Sequence, residues 1–382
     1  MHYAKKNLFT ILISTFLSIL VLYFLYFAKI HFEDHEKNTN LFETVDKLNF
    51  HRNYSKKLHH LRDSDGRWEI KNKPENYLFS TVNEFTNNSK NILLLGDSWV
   101  EQITSNNESY ETIYLFAKKN NLGLINAGVT SYSPSLMQLQ YDILERDFNI
   151  KPDVVVAYID QTDIGDELCR YKDKRVFKNN VLIAVNNENY SRATYDYTKI
   201  YNISEIVLQN KQGLRRTFKL TNFFIKYAFL RFIEKSKSIK KFGFSEYEIS
   251  KCRFGEIRKY LVSSNNEEIM YFENRVKDFI NFLYEKKYIK KIIIVSFPHS
   301  GHIFGYQTSK NEKSYYSFNV STSINKAIGD KNKIYHLNFS ELISDGKISL
   351  NVNSYLENDP GSHLNNNFHA NIFTKKIIEK LK

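Results

Sequence analysis

Asn91-Ile92-Leu93-Leu94-Leu95-Gly96-Asp97-Ser98-Trp99-Val100 is the stretch on which the fold turns. The apolar run from Ile92 to Leu95 reads as a buried strand, and Asp97-Ser98 stand where a helix begins. A strand running straight into a helix puts Ser98 at the carboxyl edge of a sheet, where open α/β folds keep their active sites. Its hydroxyl there lies beside the unsatisfied N–H groups of a helix start, which favour a developing oxyanion. The same residues also suit a plain turn with Ser98 as the helix N-cap. Gly-Asp-Ser arises by chance in about one chain of this length in ten, so the tripeptide needs partners elsewhere.

Outward from this stretch, strand and helix patterns alternate. Residues 98–120 have helical spacing, with Tyr110, Ile113, Tyr114 and Phe116 on a mixed apolar face. A second strand at 122–125 ends in Asn126-Ala127-Gly128, and a helix at 135–148 is closed off by Pro152. A third strand at 154–159 ends in Asp160-Gln161-Thr162-Asp163. The pattern lapses over an insertion at about 170–265. That insertion contains a candidate hairpin at 175–185 turning at Asn179-Asn180, and a basic, aromatic helical stretch at 217–241. Alternation resumes with a helix at 267–285. Strands at 292–297 and 334–337 and a helix to about residue 381 follow. The expected fold is α/β, with about five mainly parallel strands between layers of helices.

Residues 8–28 are almost unbroken apolar and aromatic sequence, long enough to span a bilayer as a helix. Lys5 and Lys6 precede the run, and no small-x-small cleavage site follows it. The expectation is an uncleaved anchor (1–30) with its N-terminus cytoplasmic. A tether and irregular lead-in (31–89) and an extracytoplasmic domain (90–382) follow. Trp68, after the turn signal Asp65-Gly66-Arg67, reads as a packing anchor.

The 382 residues carry a net charge of +12, with 42% hydrophobic and 15% aromatic content, a globular composition with attraction for anionic surfaces. No nucleic-acid motif or Cys/His zinc pattern accompanies the scattered lysines, so nucleic acid is not an expected partner. Cys169 and Cys252 lack C-x-x-C spacing. They form one disulfide if the domain lies outside the cytoplasm and are otherwise two small buried residues.

A serine nucleophile needs a base, an orienting acid and oxyanion donors. His363 lies just before the last helix, on a turn loosened by Gly361, and Asp359 precedes it closely enough to hold its other ring nitrogen. The Gly128 N–H lies at the carboxyl edge of the second strand, and Gln161, Thr162 and Asp163 lie at that of the third. His299 and His302 follow the fourth strand; with no acidic or cysteine ligand nearby they read as pocket rim with Asp97 and Asp163, and no metal or other cofactor is expected.

In this order the motifs resemble those of the SGNH (GDSL-type) hydrolases, named for Ser, Gly, Asn and His in four blocks. The resemblance covers residues 90–170 and 290–382. It implies a three-layer flavodoxin-like fold, Ser98 as nucleophile and oxyanion donor, Gly128 as a second donor, His363 as base and Asp359 as its acid. Two departures stand out. Thr162 occupies the place of the family's asparagine, leaving Thr162 or Gln161 to complete the oxyanion hole, and one extra residue separates Asp359 from His363.

The resemblance implies a serine esterase, and the expected anchor and outward-facing domain point to acyl esters, acetyl above all, of cell-surface glycans or lipids. Transfer of the acyl group to a surface polysaccharide, beside a membrane partner that supplies it, is the first alternative. A non-catalytic binding module is the second.

Overall fold

The computed structural model describes residues 78–86, 89–179, 181–185, 252, 254–307, 312–356 and 359–382, together with five helical positions, 14, 15, 18, 21 and 22. The rest of the apolar run 8–28, Trp68 and the stretch 217–241 lie outside the described residues. Among the described residues no helix is long and apolar enough to cross a membrane. The chain divides into two units, Met1–Asn49 with Asn189–Tyr247, and Phe50–Glu188 with Glu248–Lys382. All elements below belong to the second unit.

In chain order the strands begin with β1 (Ser80–Asn83), β2 (Lys90–Gly96), β3 (Leu122–Gly128) and β4 (Val154–Tyr158). The hairpin β5 (Arg175–Lys178) and β6 (Val181–Val185) is followed by β7 (Lys291–Ser296) and the short pair β8 (Tyr306–Gln307) and β9 (Lys313–Ser314). The last are β10 (Ile334–Asn338), β11 (Tyr355–Leu356) and β12 (Asp359–Leu364). The longer helices are α1 (Ser98–Ser105), α2 (Asn107–Lys119), α3 (Pro134–Phe148), α4 (Phe254–Ser263), α5 (Asn266–Glu285), α6 (Val320–Ile328) and α7 (Lys375–Leu381).

Six strands form one sheet in the order β1-β3-β2-β4-β7-β10. The five strands expected from their apolar runs are the five that pair in parallel. Counted among themselves they run 2-1-3-4-5, a doubly wound order whose switch point falls between the first strand and the third. The edge strand β1 pairs antiparallel with β3. It lies in the segment expected to be an irregular lead-in, where only four residues of mixed character announce it.

Alternation along each strand divides the core into two layers. Leu93, Leu95, Val155, Ala157, Ile292 and Ile294 face α3, α5 and α6. Ile92, Leu94, Val154, Val156, Ile293 and Val295 face α1, α2 and the C-terminal helices. A parallel sheet covered on both faces needs such unbroken apolar strands.

The helix expected over 98–120 is broken at Asn106, which has extended backbone (φ −94°, ψ 118°). Its N–H ends α1 on the Gln102 carbonyl (2.9 Å), while its side-chain oxygen caps α2 at the Glu108 N–H (3.1 Å). The hairpin expected at 175–185 is present, with Asn179 at φ +50° in its turn. Cys169 and Cys252 form a disulfide with Cα atoms 5.7 Å apart, which holds the two ends of the insertion together.

Candidate active site

Gly96 ends β2 against the helix that follows: an added Cβ would lie 2.5 Å from Val100 Cγ2. Asp97, not Ser98, is the N-cap of α1, its carboxylate accepting from the Trp99 N–H at 2.9 Å. Ser98 is thereby released from capping and opens the helix at the carboxyl edge of the sheet, among the N–H groups that lack an intrahelical acceptor. Its Oγ lies 2.7 Å from His363 Nε2, although 265 positions separate the two residues.

His363 does not sit on a loose turn. It belongs to β12, which pairs antiparallel with β11, and the strand carries the imidazole to Ser98. The indole of Trp99 stacks on the His363 ring at 5.7 Å. Trp99 is itself packed by Phe297 (4.8 Å), Phe373 (5.3 Å) and Tyr158 (5.4 Å). The residue after the nucleophile therefore walls the base in place. The backbone of Asp359 is in β12; its side chain lies outside the described residues.

Gly128 reaches the site differently from the expectation. It pairs with Gly96 across β3 and β2, and an added Cβ would be 2.3 Å from the Glu101 N atom. Only glycine lets the strand end approach the first turn of α1 so closely. Its N–H donates to Asn126 Oδ1 at 2.8 Å, and the Asn126 amide in turn donates to the Val100 carbonyl (2.8 Å) and to Thr104 Oγ1 (3.0 Å). Thr130 is held on the same side by the Glu101 carboxylate, which accepts from its N–H at 3.1 Å and from its hydroxyl at 2.5 Å.

The end of the third strand also departs from the expectation. Gln161 is fully buried, with its amide nitrogen donating to the Phe297 carbonyl (3.2 Å) and its oxygen accepting from the Val320 N–H (3.0 Å). It ties β7 to the start of α6, and both ends of its amide are engaged there. Thr162 gives its hydroxyl to Asp160 Oδ2, which also accepts the Thr162 N–H at 3.0 Å. Neither residue offers Ser98 the amide that Asn provides in the SGNH pattern. Thr162 instead serves a hub at Asp160, whose other oxygen accepts from Tyr158 OH (2.8 Å) and from His299 Nε2 (2.8 Å).

The expected rim residues are mostly interior. Asp97, Asp163 and His299 are buried, and His302, half-buried, donates from Nε2 to the Phe318 carbonyl at 2.7 Å. Burial works to raise the Asp160 pKa, but the His299 ring and the hydrogen bonds from His299, Thr162 and Tyr158 outweigh it and hold the carboxyl below the usual range. Asp163 goes the other way. Burial, then repulsion from Asp97, Asp160 and Asp166, pushes its pKa well above the usual carboxylate range. Its Oδ2 accepts from the Asp160 N–H at 3.1 Å. Burial lowers His302 to about 4, so that ring is neutral. Among the described residues no group of three or more His, Cys, Asp or Glu is arranged to hold a metal ion.

Sequence reasoning did not single out Glu101, Gln102, Asn106, Ser109 or His369 as part of this region, and it gave Asn126 and Asp160 no role beyond their strand-end motifs. A signal existed for some of them. Gln102, Asn106 and Ser109 follow Ser98 at spacings of four, four and three residues, so they recur on the side of the chain that carries the nucleophile.

A serine and a histidine brought into contact at the carboxyl edge of a doubly wound α/β sheet is the arrangement of the SGNH-type hydrolases, which this chain resembles in motif order and in the placement of Ser98 and His363. No protein-family model and no curated protein matches the sequence. Solved structures do match. A catalytic mutant of Axe2, an acetylxylan esterase from Geobacillus stearothermophilus, is 12% identical, with 75% of this chain and 94% of that chain covered at a TM-score of 0.35. Another Axe2 mutant, described as an acetyl-xylooligosaccharide esterase, is 11% identical over 78% and 95% with a TM-score of 0.36. An alpha/beta hydrolase from the metagenome of Lake Arreo, Spain, is 10% identical over 78% and 98% with a TM-score of 0.34. These likenesses are loose.

Proposed function

We propose that the protein is a serine esterase of the SGNH type, anchored to a membrane by residues 8–28 with its catalytic domain on the extracytoplasmic side. The observation that carries the reading is the 2.7 Å contact between Ser98 Oγ and His363 Nε2 at the start of α1. His363 takes the hydroxyl proton as Ser98 attacks the ester carbonyl, then returns it to the departing alkoxide. Water, deprotonated by the same nitrogen, attacks the acyl-enzyme and releases the acid. The Ser98 N–H is the first oxyanion donor. The Gly128 N–H becomes the second by exchanging Asn126 Oδ1 for the oxyanion.

The cellular placement rests on the apolar run after Lys5 and Lys6, and on the Cys169–Cys252 disulfide, a bond that persists in oxidising compartments. A surface location suits acyl esters, acetyl above all, of cell-surface glycans or lipids. The full-length protein should release acetate from 4-nitrophenyl acetate and be labelled at Ser98 by a fluorophosphonate. Ser98→Ala should abolish both. Unchanged turnover in that variant would overturn the assignment. Adding a glycan acceptor separates hydrolysis, which yields free acid, from transfer to a sugar hydroxyl.

A further inference from the structure

We propose that a buried polar ladder along α1 and α2 sets the position of His363 against Ser98, which makes Gln102, Asn106, Ser109 and His369 positioning residues for the reaction proposed above, on which this inference rests. Ser98 and His363 are the first rung. Four residues on, Gln102 Nε2 donates to the Leu364 carbonyl at 3.2 Å. Four further, Asn106 Nδ2 donates to the Asn366 carbonyl at 2.8 Å. Three further, Ser109 Oγ meets His369 Nδ1 at 2.9 Å. The chain from 363 to 369 is thus held to the nucleophile's own helix and its continuation at four successive points.

The last rung loops back to the site. His369 Nε2 lies 3.0 Å from the carbonyl oxygen of Trp99, the residue next to the nucleophile. A carbonyl only accepts, so the His369 proton is on Nε2, and Nδ1 accepts the Ser109 hydroxyl. The Ser109 oxygen accepts in turn from Asn106 Nδ2 at 3.1 Å. Burial pushes the His369 pKa down to about 3, which keeps the ring in this neutral tautomer. The His369 ring also packs against Trp99 at 6.3 Å, and Trp99 is the wall on which the His363 ring stacks.

Gln102, Asn106, Ser109 and His369 are all buried. Each has at least one hydrogen-bonded polar atom, as a dry interior demands, although Gln102 Oε1 is buried with no partner among the described residues. A slip of the 363–369 segment by one residue would take His363 from Ser98 and His369 from Ser109 together, so the two serine–histidine rungs fix the register. That register brings Nε2 to hydrogen-bond distance of Oγ. Apolar side chains of equal volume would fill the space without specifying it.

The test compares His369→Phe, which keeps a ring beside Trp99 and loses both hydrogen bonds, with His369→Gln, which keeps a donor and an acceptor and loses the ring. The readouts are kcat and KM for 4-nitrophenyl acetate, and the rate of fluorophosphonate labelling at Ser98, on the full-length protein. The Phe variant should lose about 100-fold in kcat and labelling rate with KM within about twofold, because misplacement by an ångström costs on that order. The Gln variant should stay within about tenfold of the parent. A Phe variant as fast as or faster than the Gln variant overturns the proposal, since ring packing would then be the whole role. Should the Phe variant not fold, Ser109→Ala replaces it: a roughly threefold to tenfold loss in kcat supports the ladder, and a parental kcat overturns it. Absence of Ser98 labelling in the parent protein would instead defeat the esterase reading, a separate failure.

Discussion

Ser98 with His363 and Ser109 with His369 are two serine–histidine contacts of nearly equal length, 2.7 Å and 2.9 Å, in one molecule. The first pair retains about 5% and 4% exposure, while the second is sealed at 0%. Ser98 is the first residue of α1, and Ser109 is the third of α2. His363 presents Nε2 to the serine. His369 presents Nδ1 and has spent Nε2 on a backbone carbonyl, with its pKa pushed down to about 3 by burial. A ring whose pKa is held so low is a poor general base at neutral pH. The same two residue types thus make a candidate catalyst at the sheet edge and a brace in the interior.

The comparison breaks most sharply under exchange of the two hydroxyls. Ser98→Ala should lower esterase turnover by on the order of 10⁴-fold or more, with its thermal midpoint close to the parent's. Steady-state kinetics with a melting curve checks both halves. Ser109→Ala should do the reverse. Turnover falls by no more than about tenfold, and stability falls by about 1–3 kcal/mol because His369 Nδ1 is left buried and unpaired. Equal losses of turnover in the two variants would erase the distinction.

The disulfide, which takes no part in either serine–histidine contact, supplies a control. The Cys169–Cys252 bridge closes a sequence separation of 83 residues. Replacing both cysteines by serine should cost about 2–5 kcal/mol of stability while Ser98 in the folded fraction still reacts with a fluorophosphonate. Denaturant titration and labelling measure the two effects, and loss of labelling in folded protein would place the bridge within the site's support.

Gly128 sharpens the comparison from the pocket side. Gly128→Ala drives a methyl group to 2.3 Å from the Glu101 N atom. It should cost about 1–3 kcal/mol by overpacking, with a drop in kcat because α1 must move. A variant with parental kcat and stability would contradict the close approach.

The smallest expected effect is on acid stability. The His369 pKa lies at about 3 in the fold against 6.5 for an unperturbed ring. The unfolded chain therefore binds the proton first. The contribution of the neutral ring is complete above pH 6.5 and is lost as pH falls toward 3. Removing this titration with His369→Gln should make the loss of stability between pH 7 and pH 5 smaller by about 1–2 kcal/mol. Parallel losses in the two proteins, measured by thermal unfolding at both pH values, would show that His369 does not govern this range.

The parallel strands were legible because a strand covered on both faces must be apolar throughout, and Ile92 to Leu95, Val154 to Tyr158 and Ile292 to Val295 have that form. Strand β1 was not, because four residues at an edge carry too little pattern. The pairing of Ser98 with His363 was legible as an order of motifs. The setting of Gln161 and Thr162 was not. Their places in the sequence invited them into an oxyanion hole, but Gln161 met the Phe297 and Val320 backbone and Thr162 met Asp160.

By itself the sequence determined the layered α/β core, the hairpin at Asn179 and the candidate nucleophile and base, since local periodicity and turn chemistry suffice for these. Only the tertiary structure decided which polar groups work together. Hydrogen bonds across 159 to 270 positions, from Gln161 to Val320, from Ser98 to His363 and from His369 to Trp99, depend on which chain segments the sheet order makes neighbours. No local pattern encodes that distance.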